Sequence, residues 1–236
     1  GQSFDQETKT LNLSLHLTDF ASSETSRGLW INTSTPESDL GKKEYDWSRV
    51  LAPVSDTLGI SGTLVTVDNQ LVLTRRSKFT SVAPNLRHVS MAEGVTPADG
   101  ELSVNPVAAI RRAAREEQGI SEDISASVIT HGWGLNLAEY GWTFFSHVSL
   151  EDERFTADYI LDLHKKGEVA DSWESESIWC VPFTLDTLEK ELSNAEEWTI
   201  PGWVNLWLTA LYAFPELYDR VMEMCQPFIV DELRDD

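Results

Sequence analysis

Cysteine is nearly absent: Cys180 and Cys225 are the only two in 236 residues. That excludes a disulfide framework and a cysteine-rich zinc site, and it makes a reducing, cytoplasmic compartment the expectation. Basic residues are scarce as well. There are 18 Lys and Arg against 39 Asp and Glu, for a formal net charge of −21. A field of that sign repels phosphate backbones and anionic bilayers, so neither nucleic acid nor a membrane surface is an expected partner. No apolar run approaches the ~18 residues of a membrane span. The start, Gly1-Gln2-Ser3-Phe4-Asp5, lacks the basic residues and apolar stretch of a secretory leader. Repeats and low-complexity tracts are missing. His16, His88, His131, His147 and His164 are scattered without zinc-ligand spacing.

What is present suits a folded protein. Apolar residues make up 41% and aromatics 10%, enough for an ordinary core. At roughly 150 residues per domain, the length fits one large domain or one domain with an extension. Residues 11–17 alternate strictly between leucine and polar or histidine side chains, which predicts a half-buried strand. Residues 21–49 are polar and read as an extended connection, closed by Asp56-Thr57-Leu58-Gly59. Gly62 to Val67, the turn Asp68-Asn69, and Gln70 to Arg76 predict a hairpin, because apolar, partly β-branched runs flank a turn dipeptide. Residues 94–105 read as a loop. Asn105-Pro106 then predicts a helix start, with Val107–Gln118 as its body and Gly119 as its stop. Further strands are expected at 125–130, 141–149 and 177–183, and helices at 151–165 and 186–192. A C-terminal helical region is expected at 203–224, bent at Pro215. The order is a mixed α and β layer arrangement, not a regular βαβ array.

The chemical centre is Arg112-Ala113-Ala114-Arg115-Glu116-Glu117-Gln118-Gly119-Ile120. Residues three and four apart share a helix face, so Arg112 neighbours Glu116. Two carboxylates at a helix C-terminus sit at the unfavourable end of its dipole. A divalent cation offsets that penalty, and Mg2+ prefers carboxylate oxygens and phosphate company. Taken alone, the run also fits a solvated Arg–Glu face.

The segment resembles the signature of the Nudix hydrolases. Arg112, Glu116, Glu117, Gly119 and Ile120 match it in register. Leu71 to Ser77 resembles the strand leading into that box, and Pro84-Asn85-Leu86 with His88 to Gly94 resembles the segment that opens its loop. Glu176 to Phe183 resembles the late acidic residue and Trp-containing strand. The resemblance covers about residues 59–192. It departs at Ala113, where the family carries a Glu, at Val104, where it carries an earlier Glu, and at Ala98, where its first Gly falls. Glu93-Gly94, Asp99 and Glu101 are candidate substitutes. A second resemblance links Leu11 to Phe20 and Leu58 to Gly62 with the leader of Nudix relatives that cleave UDP-sugars.

The resemblance implies an α+β fold: a Nudix-like α/β/α sandwich with a mixed sheet. Residues 1–58 are then an N-terminal β extension packed on the core, and residues 59–236 the Nudix-like domain with its C-terminal helical region. It implies a metal-dependent pyrophosphohydrolase. The substrate is a small-molecule nucleoside diphosphate joined to another group, with a nucleotide sugar as one candidate. Glu116 and Glu117 would hold Mg2+ or Mn2+, and Arg112 would orient a carboxylate, Glu101 or Glu93. Glu93, Glu174 and Glu176 are candidate bases, and Arg75, Arg76 and Arg87 candidate diphosphate contacts, each equally readable as a surface ion-pair partner. The degenerate box leaves a second implication open: a Nudix-fold nucleotide sensor or binding module without turnover. Cys180 and Cys225 read as structural. Trp133, Trp142 and Tyr140 either stack a base or fill a core. Trp198, Trp203 and Trp207 either pack the C-terminal helix on the sheet or make a homodimer contact.

Overall fold

The computed structural model describes residues 2–5, 10–13, 58–96, 105–120, 126–136 and 141–225. The expected strand beyond Leu13, the connection 21–49, and Ala98, Asp99, Glu101, Val104 and Tyr140 lie outside the described residues. The chain divides into two units. Residues 1–57 with 138–140 form one, and residues 58–137 with 141–236 the other. In the first, β1 (Gln2–Asp5) and β2 (Thr10–Leu13) pair antiparallel, with Phe4 opposite Leu11.

The second unit is built on a seven-stranded mixed sheet. The expected hairpin forms its spine: β3 (Leu58–Val65) and β4 (Gln70–Arg76), with Asn69 at φ 57° in the turn. These two strands pair for only two residue positions, Leu64 with Val72 and Val65 with Leu71. Beyond that they part, and β5 (Arg87–Val89) and β6 (Met91–Gly94) fill the fork. β5 pairs with β4 and β6 with β3. Ser90 plugs the crotch: its hydroxyl accepts from Leu64 N–H at 2.7 Å and donates to the Val72 carbonyl at 2.5 Å. Two backbone groups beside the fork thereby find a partner. On the other side β3 runs parallel to β8 (Gly141–Leu150), which pairs antiparallel with β7 (Ala126–Asn136). β9 (Ser175–Pro182) closes the outer edge of β4.

Helices cover both faces. α1 (Pro106–Gln118) starts as expected: Asn105 Oδ1 accepts from the N–H groups of Val107 and Ala108. It stops at Gly119, whose φ of 69° suits a residue without a Cβ. Its buried stripe is Ala109, Ile110, Ala113 and Ala114. A Cβ on Gly62 would stand 2.2 Å from Ile110 Cδ1, so glycine there permits the close approach of α1 to β3. The opposite face carries α3 (Leu185–Leu192), α4 (Ile200–Ala213) and α5 (Tyr218–Cys225). Val65, Leu71, Leu73 and Val89 from the sheet pack there with Leu188, Leu192, Trp198, Trp203 and Leu206. Neighbouring strand residues point to opposite faces. Gly62 accordingly meets α1 while Thr63 bonds to Asn205 of α4. The result is a mixed sheet between helical layers, the expected fold class, with Trp198 and Trp203 packing the C-terminal region onto the sheet.

Two expected boundaries move. The helix expected at 151–165 is α2 (Ala157–Lys166), capped by Thr156. Asp152 accepts from the backbone N–H and the guanidinium of Arg154, a local turn that competes with helix. The strand expected at 125–130 runs on to Asn136 through Gly132 and Gly134, because pairing with β8 outweighs the weak strand preference of glycine. Among the described residues no helix is long and apolar enough to cross a membrane.

Candidate active site

The face of the sheet beneath α1 gathers the acidic residues. Glu117, in the last turn of α1, turns toward the fork, and both of its carboxylate oxygens accept from Ala92 N–H, at 2.9 and 3.1 Å. The next residue holds it there: Gln118 is fully buried, donates to the Ser90 carbonyl at 2.5 Å and meets His164 Nε2 at 3.2 Å. Burial pushes the Glu117 carboxyl well above the usual carboxylate range. The Ala92 N–H works against the rise, the charges of Glu174 and Glu93 add to it, and Arg76 opposes it.

Glu93 and Glu174 share this environment. Burial raises the Glu93 carboxyl, against the pull of Arg112. Burial likewise raises Glu174, against Arg76, with Asp171 and Glu93 reinforcing the rise. The Glu174 segment is a 3-10 turn (Ser172–Glu174) that leads into β9. It is fastened to α1 by Asp171 N–H donating to the Glu116 carbonyl at 3.0 Å, and to the end of β4 by Ser77 N–H donating to the Glu174 carbonyl at 2.7 Å.

Arg112 lies beside Glu93, one of the two carboxylates the resemblance suggests for it. Its guanidinium donates to the Gly94 carbonyl and to Thr96 Oγ1, both at 2.6 Å, and stands 3.5 Å from Glu93 Oε1. It thus clamps the end of β6 that carries Glu93. Glu116 behaves differently from its neighbour. It lies 2.9 Å from Arg115 and 3.7 Å from Arg112 at the margin of the site.

The three candidate phosphate-binding arginines separate. Arg76 lies on the α1 face, within electrostatic reach of Glu117, Glu174 and His88, and donates from Nε to the Val82 carbonyl at 3.0 Å. Arg75 and Arg87 are opposite each other in the β4–β5 register. The pleat turns both to the other face. Arg87 is ion-paired there with Glu191 at 2.7 Å and Glu197 at 2.8 Å, and Arg75 donates to the Asn85 carbonyl at 2.7 Å. Neither is brought to the acidic cluster, and Arg87 takes the ion-pair alternative. Glu176 is exposed and falls where the β4–β9 register shifts.

The remaining candidates resolve in the fold. Trp133 and Trp142 pack on each other, ring centroids 4.4 Å apart. Burial pushes the Cys180 thiol up to about 11. Sequence reasoning did not single out Asp171, nor the exposed rings of Phe79 and Trp173 on the two segments joined at Ser77 and Glu174. The available signal was one aromatic amid polar residues in Ser77-Lys78-Phe79-Thr80 and in Asp171-Ser172-Trp173-Glu174.

The donors at this site are carboxylate oxygens, the ligand type that Mg2+ and Mn2+ take. Among the described residues no three His, Cys, Asp or Glu side chains already converge on one point. The donor chemistry therefore fits a hard divalent cation, without a ligand cage assembled in its absence.

No family model matches the chain, and no curated protein matches it. Solved structures do. A MutT protein from Methanosarcina mazei Go1 is 12% identical, with 70% of this chain and 93% of that one covered at a TM-score of 0.41. A NUDIX hydrolase from Nitrosomonas europaea is 12% identical, with 66% and 88% covered at 0.43. A bifunctional NMN adenylyltransferase/ADP ribose pyrophosphatase from Francisella tularensis is 9% identical, with 72% and 45% covered at 0.42. At these TM-scores the likenesses assign no residue and no substrate. The chemistry rests on the side chains themselves.

Proposed function

We propose that the α1 face is the active centre of a metal-dependent hydrolase that cleaves the diphosphate of a nucleoside diphosphate joined to another group, a nucleotide sugar being the narrower candidate. One observation supports this above the others. Burial raises the carboxyls of Glu117, Glu93 and Glu174 on this one face, the charges of Glu174 and Glu93 add to the rise at Glu117, and Arg76 and Arg112 are the opposing charges. Like charges held in a half-buried site destabilise the fold unless a cation joins them.

Glu117 would hold Mg2+ or Mn2+, with Glu116 as the second ligand. A bound ion supplies neutralisation of phosphate oxygens and a lowered pKa for attacking water. The chain's own groups do the rest. Glu93, fixed by Arg112 through Gly94 and Thr96, takes the proton of the attacking water. Arg112 is a positioning residue. Arg76, on the same face as Glu117, neutralises non-bridging oxygens of the diphosphate.

A second reading, a nucleotide-binding module without turnover, draws on Ala113. It is fully buried under the sheet where the resembling family carries a Glu, so that position supplies neither ligand nor base. Calorimetric titration with Mn2+ and a phosphate-release screen over nucleoside diphosphate derivatives separate the two. Metal-dependent release that Glu117→Gln abolishes supports the hydrolase. Tight nucleotide binding with no release supports the module, and binding of neither metal nor nucleotide overturns both.

A further inference from the structure

We propose that His131 and His147 form a two-imidazole site for Zn2+ on the α4 face, joining β7 to β8 and separate from the carboxylates under α1. The fold brings His131 Nε2 to 3.2 Å from His147 Nδ1, with the ring centroids 5.1 Å apart. Two imidazoles bound to one tetrahedral ion, at a Zn–N length of about 2.0 Å, hold their nitrogens about 3.3 Å and their ring centres about 5 Å apart. Thr209 Oγ1 stands 3.4 Å from His131 Nε2, close to the same spacing, and adds a third corner.

Strand pairing makes this pair, which is 16 residues apart in the chain. In the β7–β8 register Thr130 lies opposite Ser146 and Gly132 opposite Phe145, so His131 is the extra residue of a bulge. A bulge frees its residue from the ladder and re-aims its side chain. His147 is opposite Thr63 of β3, whose hydroxyl accepts from Asn205 of α4, and this places it on the α4 face. Tyr212 packs tilted against both rings, its centroid 5.4 Å from His131 and 5.0 Å from His147. His147 is buried and His131 only partly so, which leaves the pair open to solvent on the His131 side.

The donor chemistry selects the ion. Imidazole nitrogen suits Zn2+, whereas the carboxylates under α1 suit Mg2+ or Mn2+. Burial lowers His131 to about 4 and lowers His147 too, so both rings are neutral near pH 7, the form that ligates. Among the described residues no third His, Cys, Asp or Glu completes the set, so water takes the remaining corners. Asn205 belongs to the network that reaches His131 through Thr63 and Thr209, and its buried Oδ1 has no partner, an unmet acceptor beside the site. In the metal-free chain one facing nitrogen carries a proton and donates it to the other. Binding moves that proton to the far nitrogen of its own ring. His131 is then the Nδ1–H form and His147 the Nε2–H form, each with a lone pair on the ion.

The test titrates zinc chloride into the metal-free full chain in excess Mg2+, which competes for carboxylates, using wild type, His131→Ala, His147→Ala and Glu117→Gln. One Zn2+ per chain is expected for wild type and for Glu117→Gln alike. Each histidine variant should weaken binding at least about 100-fold, since even groups behind a metal ligand contribute roughly 10- to 100-fold. NMR of the ring nitrogens in wild type decides the matter if a variant fails to fold: Zn2+ should shift His131 Nε2 and His147 Nδ1 and leave His88 and His164 unmoved. No zinc binding in excess Mg2+ overturns the proposal. Unshifted His131 and His147 nitrogens overturn it as well, leaving a hydrogen bond as the whole of their contact. Zinc held by both folded histidine variants as tightly as by wild type overturns it too, and so does zinc lost with Glu117→Gln, which assigns the ion to the α1 face. Turnover enters none of these outcomes, so the hydrolase reading stands or falls by its own assay.

Discussion

The two faces of the sheet bury polar groups in opposite ways. Around Asn205 under α4 the groups are neutral and bond to one another, with Asn205 Oδ1 left without a partner. Asn205 Nδ2 donates to Thr63 Oγ1 at 2.7 Å and to the Ser146 carbonyl at 3.0 Å, and Thr209 donates to the Asn205 carbonyl at 2.8 Å. His147 Nδ1 meets His131 Nε2 at 3.2 Å, and Tyr212 packs against both rings. Under α1 the groups are carboxylates of one sign, and burial raises them. The first arrangement fixes a helix against a sheet, because a network so connected tolerates little sliding. The second costs stability by itself, a cost that the proposed cation would relieve.

Substituting Glu117 should break the contrast most sharply. Glu117→Gln is expected to lower metal-dependent turnover by at least about 100-fold, since even groups behind a metal ligand contribute roughly 10- to 100-fold. In metal-free buffer the same variant should melt at a higher temperature than wild type, because a buried like-charged group is gone. Turnover assays and calorimetric melting read both effects, and an unchanged melting temperature would deny that the carboxylate is strained.

On the other face, Asn205→Ala should destabilise by about 2–3 kcal/mol, read as a shift in urea midpoint. It leaves Thr63 and the Ser146 carbonyl short of a buried partner. Turnover per folded molecule should not change.

The pH dependence should carry two opposing signs, with His88 on the α1 face, lowered by burial to about 3, acting with the α4-face histidines. Burial lowers His131 to about 4 and lowers His147 from its ordinary value. Their contribution is complete above the unfolded histidine value and is lost as pH falls from about 6.5 toward 4. The raised carboxyls act in reverse: folded Glu117, Glu93 and Glu174 hold protons that the unfolded chain releases. Metal-free stability therefore gains as pH falls through their folded values toward about 4.3. Each group contributes at most about 1.4 kcal/mol per pH unit. The carboxylate gain should appear as the difference between metal-free and Mn2+-saturated urea midpoints from pH 8 to 4, because His131 and His88 contribute the same loss to both.

The smallest expected effect on kcat/KM is that of Arg87→Ala. Its loss leaves the buried Glu191 carboxylate short of its partner, so destabilisation of about 3 kcal/mol is expected, read as a urea midpoint, with unchanged kcat/KM. Arg76→Ala, on the other face, should lower kcat/KM with little change in melting temperature.

Much of this was legible in the sequence where local rules act. Asn105, Pro106 and Gly119 bracket α1, and the turn at Asp68-Asn69 sets the hairpin, because caps and turns are decided within a few residues. The start of α2 was missed where the Asp152–Arg154 turn forms before Thr156. Strand alternation already placed Arg75 and Arg76 on opposite faces. It did not say which face holds the acids, since that depends on pairing with β5 and β9.

The sequence by itself determined the charge balance, the capped helix bearing two carboxylates and the alternation of the strands. Only the tertiary structure decided that Glu117 turns inward while Glu116 stays at the margin, and that Glu174 and Asp171 come to the end of α1. Only the folded chain, too, places Arg76 rather than Arg87 beside them. The physical reason is range. Caps and pleats are set by neighbours in the chain, whereas the meeting of Glu117 with Glu174 depends on how the β3–β4 fork opens and where β9 docks.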